Sequence, residues 1–116
     1  MKDIPFKVVE SRQIYDRQVE GLSIIETSYA VVVFICQSFP NPGYSMGISR
    51  VVKDGDIYSI YLSVVSPKPN YILPQVITYK SIGIEIDKED LNPPYRFELV
   101  IEGHRGFVIR DDRKEY

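Results

Sequence analysis

The chain has 116 residues, of which 44% are hydrophobic and 26% are charged, and its formal net charge at pH 7 is −2. This length fits one domain with a core of its own, and this composition is typical of a globular protein rather than a disordered one. The 14 basic residues are scattered among 16 acidic ones, which argues against the concentrated positive charge that nucleic-acid binding requires.

The first third of the chain permits two interpretations. Ile4, Phe6 and Val8 occupy alternate positions and predict a strand. Residues 12–22 have apolar side chains at positions that suit either one short helix ending at Gly21 or parts of two further strands. The sequence leaves both alternatives open. The N-terminal residues lack the apolar core of a signal peptide, and the sequence contains no run of about 18 apolar residues that could span a membrane.

Residues 30–36 form an apolar run without a polar face. Such a run predicts a strand in the middle of a sheet that is covered on both sides. The single cysteine, Cys36, ends this run, so an internal disulfide is excluded and the compartment is left undetermined. A catalytic thiol needs an exposed, electropositive setting, and we therefore expect Cys36 to be a buried spectator.

Two proline-rich segments stand out as loops that suit recognition. Proline fixes φ and removes a backbone donor, so such a loop loses little conformational freedom when it binds a partner. Each loop also contains a tyrosine, which could contact a partner or could cap the end of the fold. The predicted partner-binding residues are Asn41, Pro42, Gly43 and Tyr44 in the first loop, and Pro67, Lys68, Pro69 and Tyr71 in the second.

A β-hairpin is predicted between these loops. One strand covers residues 46–52, and the next covers residues 58–64, in which apolar side chains alternate with polar or amphipathic ones. The connection contains Asp54-Gly55, a strong hairpin signal because glycine accepts the positive φ of a tight turn.

The apolar alternation changes phase between residues 75 and 86. Ile77 and Tyr79 lie at odd positions, whereas the isoleucines from Ile82 onward lie at even ones. A shift of one residue sends side chains to the opposite face, so we predict a bulge or bend near Lys80 and Ser81.

The last third predicts two more strands. Apolar residues at 95, 97, 99 and 101 alternate with charged ones at 96, 98 and 102, a glycine-flanked turn follows at 103–106, and a short final strand covers 107–110. We therefore predict a single all-β domain at 1–110, an antiparallel β-sandwich or open barrel, followed by a frayed charged tail at 111–116. Its inward-facing core should include Phe34, Ile60, Leu62, Phe97 and Leu99.

Catalytic signals are weak. His104 is the only histidine, so neither a histidine pair for zinc nor a triad with a second base can be assembled. Asp87, Glu89 and Asp90 form an acidic patch without the spacing of a calcium-binding loop, which favours a solvated surface. We expect a protein that is not an enzyme and that uses no cofactor or metal.

The order of motifs in the middle of the chain resembles the PrcB C-terminal domain family. These motifs are the Gly43-Tyr44 pair, the hairpin turn, the loop with Pro67 and Pro69, and a Thr78-Tyr79 segment before an apolar strand. The family consists of accessory subunits of exported bacterial protease complexes. The resemblance covers residues 31–86 and implies a β domain with a protein partner, namely a protease; Lys80 departs from it, since the family often has proline there.

Two further hypotheses of function rest on other residues of the sequence. The segment SFPNPGY is similar to the inhibitory loop of chagasin-type protease inhibitors, which have an immunoglobulin-like fold. It lacks that loop's two threonines and the following tryptophan. A small-ligand or glycan-binding sandwich is the third hypothesis, in which Tyr61, Tyr79 or Tyr95 would serve as platforms.

Overall fold

Strands account for most of the chain. The computed structural model describes residues 2–68, 72–102 and 108–115. For residues 108–115 the description is of the backbone. The strands of the described residues are β1 (Lys2–Asp3), β2 (Lys7–Ile14), β3 (Gly21–Glu26), β4 (Ala30–Phe39), β5 (Ser45–Asp54), β6 (Ile57–Val65), β7 (Thr78–Asp87), β8 (Arg96–Glu102) and β9 (Val108–Glu115), with a 3-10 turn at Lys88–Asp90. No helix within these ranges is long and apolar enough to cross a membrane.

The strands form two sheets that pack face to face as a β-sandwich. One sheet has the order β1-β5-β6-β8-β9 and the other has the order β2-β7-β4-β3. The predicted all-β sandwich is confirmed. One pair, β6 and β8, is parallel. The chain passes through β7 of the opposite sheet between these two strands, and this crossover brings β8 back in the direction of β6.

The core lies between the sheets, where alternate residues of each strand point inward. The predicted core residues Ile60, Leu62, Phe97 and Leu99 are fully buried. The opposite sheet contributes inward-facing valines and isoleucines, namely Val31, Val33, Ile35, Ile82, Ile84 and Ile86. Burial of each such side chain contributes about 1.5–3 kcal/mol relative to exposure, which makes this interior the main source of stability.

The predicted hairpin is confirmed. β5 and β6 pair antiparallel up to Asp54 and Ile57, which leaves a two-residue turn of Gly55 and Asp56. Gly55 has a φ of 64°, a conformation that a residue with a side chain rarely adopts. Glycine at the first position of the turn lets the strands keep their right-handed twist.

Pro5 divides the segment that was predicted as one N-terminal strand, so that prediction is wrong. Before it, the Ile4 N–H donates to the Val51 carbonyl at 2.9 Å and extends the pairing of β1 with β5. After it, β2 joins the opposite sheet beside β7. The short helix considered for residues 12–22 is also wrong, because β2 continues to Ile14 and β3 starts at Gly21.

Phe34 does not face the core, contrary to the prediction. It lies half-buried on the outer face of β4, opposite Gly83 of β7. A Cβ added to Gly83 would come within 2.8 Å of the Phe34 ring, so the ring occupies the space that glycine leaves. β4 is central in its sheet, but Val32, Phe34 and Cys36 on its outer face are only half-buried, so the prediction of cover on both faces is also wrong.

The bulge predicted near Lys80 and Ser81 is absent from β7, which is described throughout. Its register with β4 runs without a shift from Thr78 to Asp87. Ile77 precedes the strand and is 61% exposed, while buried Thr78 takes the inward position in phase with Ile82. Register shifts occur instead in β2, between Val8 and Glu10, and in β5, between Ile48 and Arg50.

The last strand is longer than the sequence predicts. β9 pairs antiparallel with β8 and continues to Glu115, so the residues expected to form a frayed tail from 111 are strand. Arg96 at the start of β8 pairs with Glu115 in register. The predicted turn at 103–106, including His104, lies outside the described residues.

Candidate functional site

The two proline-rich loops meet at Gly43. A Cβ added to Gly43 would overlap Leu73 Cδ1 and would lie 2.9 Å from Pro67 Cβ. The second loop therefore packs directly on the backbone of the first, an approach that the missing side chain permits. The structure thus brings together two segments that are separated by the β5–β6 hairpin in the sequence.

Asn41 shapes the first loop. Its side-chain oxygen accepts a hydrogen bond from the Gly43 N–H at 2.9 Å, which is the geometry of a turn that asparagine forms with the backbone two residues ahead. Pro42 stands between these two residues and is half-buried. A fixed φ at Pro42 and a hydrogen bond across it leave this loop little freedom.

Tyr44 caps the end of the core. Its ring stacks on Phe39 with centroids 5.1 Å apart and planes 15° from parallel, and it packs against the buried cluster. The side chain is only half-buried, so part of the ring reaches the surface. This geometry supports the capping interpretation of Tyr44, while the exposed part of the ring remains accessible to a partner.

The second loop is only partly described. Pro67 is half-buried against Gly43, and Lys68 is exposed. Pro69 and Tyr71 lie outside the described residues. The structure therefore joins Asn41, Pro42, Gly43 and Tyr44 with Pro67 at one end of the sandwich.

Exposed apolar residues follow the second loop, and sequence reasoning missed them. Ile72 is fully exposed, Val76 is 42% exposed and Ile77 is 61% exposed. We call these three residues the apolar strip. Leu73, which contacts Gly43, lies next to Ile72 in the chain. The off-phase position of Ile77 relative to β7 is the available signal, although the same phase change also predicts a bulge, which β7 does not have.

The acidic patch belongs to a structural turn. Fully buried Tyr58 accepts a hydrogen bond from the Asn92 N–H at 3.0 Å and donates one to the Asp90 carbonyl at 3.4 Å. The 3-10 turn at Lys88–Asp90 is thereby fastened to the core. Within the described ranges, no group of three or more histidine, cysteine or carboxylate side chains could hold a metal ion.

Cys36 is half-buried rather than buried. It lines an open cleft of about 430 Å³ on the outer face of the β2-β7-β4-β3 sheet. Desolvation raises the pKa of the thiol above its ordinary value, and the carboxylate of Glu20 raises it further. The Glu20 carboxylate accepts hydrogen bonds from the Ser38 N–H and hydroxyl, at 2.9 and 2.8 Å. The protonated thiol is favoured, which is unfavourable for a nucleophile.

The three tyrosines considered as ligand platforms do not share a surface. Tyr95 is 5% exposed and belongs to the core. Tyr61 lies on the outer face of one sheet with the Arg50 guanidinium 4.4 Å from its ring centroid. Tyr79 is half-buried on the outer face of the other sheet. A concave aromatic site formed by these residues is therefore not present.

Comparisons of the chain with protein-family models, with curated proteins and with solved structures gave no match.

Proposed function

We propose that this chain is a non-enzymatic protein-binding module that acts as an accessory subunit of a protease. The observation that carries the binding role is the apolar strip of Ile72, Val76 and Ile77, next to two proline-rich loops that pack on each other at Gly43. Large apolar side chains on a loop attached to a stable scaffold are a common basis for protein recognition.

The energetics favour a protein partner. Complete burial of a fully exposed isoleucine such as Ile72 contributes about 1.5–3 kcal/mol, and the partly exposed Val76 and Ile77 can each contribute a fraction of that on binding. The contact between Leu73 and Gly43 fixes one point of the loop before binding, which lowers the ordering cost on association. The partly exposed ring of Tyr44 extends the same end of the sandwich.

The partner class comes from the resemblance of residues 31–86 to the PrcB C-terminal domain family. Gly43, which that resemblance includes, is the residue at which the loops meet. An accessory subunit would hold or stabilise a protease through this end of the sandwich. An inhibitor would instead insert its loop into the protease cleft.

Site-specific photo-crosslinking tests the proposal. A photoreactive residue at position 72 should capture a protease subunit in an extract of the source organism, whereas the same residue at position 19 should not. Val19 is a suitable control because it is 92% exposed and lines the cleft on the β2-β7-β4-β3 sheet.

The captured protease distinguishes the two roles. Adding the pure protein should lengthen the half-life of the protease's activity, as expected of an accessory subunit. A dose-dependent loss of that activity would favour the inhibitor. Equal capture from positions 72 and 19, or the absence of a protease among the captured proteins, would contradict the proposal.

A further inference from the structure

One edge of the β1-β5-β6-β8-β9 sheet is left open along half of β5. β1 pairs only with Val52 and Lys53, and the Ile4 N–H reaches the Val51 carbonyl. The chain then leaves this edge at Pro5 and joins the other sheet. In the described part of the chain, no strand pairs with this side of β5 from Ser45 to Arg50.

The first residues of this stretch, from Ser45 to Ile48, lack the usual protection of an open edge, whereas Arg50 and the register shift before it protect its far end. Exposed edge strands carry unpaired backbone N–H and C=O groups, and proteins commonly protect them with charged residues, prolines or bulges. The neighbouring edge strand β2 has Lys7, Glu10 and Arg12. In contrast, β5 has no charged residue from Ser45 to Ser49. The only register shift in its pairing with β6 lies at the end of this range, between Ile48 and Arg50.

A seam between the two sheets lies beside the start of this edge, at Ser45 and Met46. It has a volume of about 260 Å³ and lies between Met46 of β5 and the middle of β2. Met46 and Ile82 are the apolar residues of its lining, and the other lining residues are polar or charged, namely Ser11, Arg12, Gln13, Ser45, Lys80 and Ser81. Lys80 forms no ion pair with any described residue, so it offers a positive charge to an incoming group.

We propose that residues 45–49 of β5 accept an extended segment of a protein partner as an added strand. The segment would run antiparallel to β5, in line with β1, which already pairs in this direction on the same edge. This inference rests on the proposed function, because the open edge begins at Ser45, directly after Tyr44, and so continues the surface of the proline-rich loops.

The surroundings of the edge define the segment's chemistry. Side chains alternate across a strand, so every second residue of the segment would face the seam; the one over Met46 and Ile82 should be apolar, and its neighbours on that face should be polar to match Gln13 and Ser81. An acidic residue near Lys80 would complement its charge.

Selection from a displayed library of random linear heptapeptides tests this proposal on the full chain. Two versions of a selected peptide should be compared, each methylated on alternate backbone amides. An added strand directs only every second N–H toward β5, so one version should lose at least about tenfold in affinity and the other should stay within about twofold. Equal effects of the two versions, or no effect of either, would overturn strand addition.

A substitution at Gly47 tests the location. A Cβ on Gly47 meets nothing within 4 Å, so both Gly47→Lys and the control Gly47→Ala should fold. Like charges at directly opposed positions of two strands are unfavourable. The quantity to compare is the ratio of affinities for peptides with glutamate and with lysine at the opposed position. This ratio should be about threefold larger for Gly47→Lys than for Gly47→Ala. The same preference in both variants would place the peptide elsewhere and overturn the assignment.

Three outcomes separate this inference from its alternatives. If the protein alone sediments as a dimer that Gly47→Lys converts to a monomer, a second copy occupies the edge and the inference fails. If position 72 captures a protease but no selected peptide adds to β5, the inference fails while the proposed function stands. If strand addition is found but position 72 captures no protease, the proposed function fails while the strand site stands.

Discussion

Gly43 and Leu73 are in direct contact although the β5–β6 hairpin separates them in the sequence, and the absence of a side chain on Gly43 makes this contact possible. Pro67 approaches from the same loop, 2.9 Å from where a Cβ would stand. The backbone of Gly43 does not require a positive φ, so space rather than conformation demands glycine at this position. The arrangement of the two loops therefore depends on this one close approach.

Gly43→Ala should separate the loops and lower the free energy of unfolding by about 1–3 kcal/mol, because overpacking forces neighbouring atoms to move. Denaturant unfolding measures this change. Gly47→Ala is the matched control, since its new methyl group would meet nothing within 4 Å, and it should change stability by less than about 1 kcal/mol. Equal effects of the two substitutions would mean that the contact at Gly43 relaxes without cost.

Part of the site was predictable from the sequence. The prolines and Tyr44 indicated the first loop, because proline and glycine chemistry is local. The sequence did not predict that Gly43 would meet Pro67 and Leu73, because that contact depends on how the sandwich places two distant segments. The exposure of Ile72 could not be predicted either, since apolar residues are normally assigned to a core.

Tyr44→Ala should cost about 2 kcal/mol of unfolding free energy, below the 3–5 kcal/mol of a fully buried aromatic because the ring is partly exposed. Tyr44→Phe keeps the ring stacked on Phe39 and should retain most of this stability. Tyr29→Ala is a control at a 64% exposed tyrosine, where a change within about 0.5 kcal/mol is expected. Thermal and chemical unfolding of the three variants would show whether the stack stabilises the fold.

Leu62→Ala should lower stability by about 2–5 kcal/mol, because Leu62 is fully buried between the sheets and its truncation leaves a cavity. Ile72→Ala is the control, since Ile72 is fully exposed and its loss should change stability by less than about 0.5 kcal/mol. A loss below about 1 kcal/mol for Leu62→Ala would be incompatible with its inward position in β6.

The fold class followed from period-two patterns, and these succeeded where one face is polar, as in β6 and β8. They failed for β4, because apolar residues on both of its faces do not indicate which face points inward. The pattern therefore places Phe34 in the core, although it lies on the outer face of the sheet. They also failed at Pro5, where the chain changes sheets within a pattern that suggests one strand. Sheet exchange and strand order depend on long-range pairing that local patterns do not contain.

Phe34 and Gly83 should be energetically coupled. Gly83→Ala places a methyl group within 2.8 Å of the Phe34 ring and should be destabilising by about 1–3 kcal/mol. In a Phe34→Ala background the ring is absent, so the same substitution should cost about 1 kcal/mol less. A double-mutant cycle by denaturant unfolding measures this coupling. Additive effects would show that the ring and the glycine do not depend on each other.

The raised pKa of Cys36 should make its thiol react slowly. Desolvation, and then the charge of Glu20, disfavour the thiolate. At pH 8, iodoacetamide should therefore modify the folded protein more slowly than the urea-unfolded chain, and Glu20→Gln should increase the folded-state rate. Cys36→Ser provides the control for modification at other residues.

The same pKa shift determines how stability depends on pH. Between the unfolded pKa of Cys36 and its higher folded pKa, the folded state binds more protons than the unfolded state. The free energy of unfolding should therefore be unaffected by this group at neutral pH and should fall as pH rises through that interval. Cys36→Ser should remove this alkaline decline from the pH profile of denaturant unfolding. An unchanged decline in Cys36→Ser would show that Cys36 is not its cause.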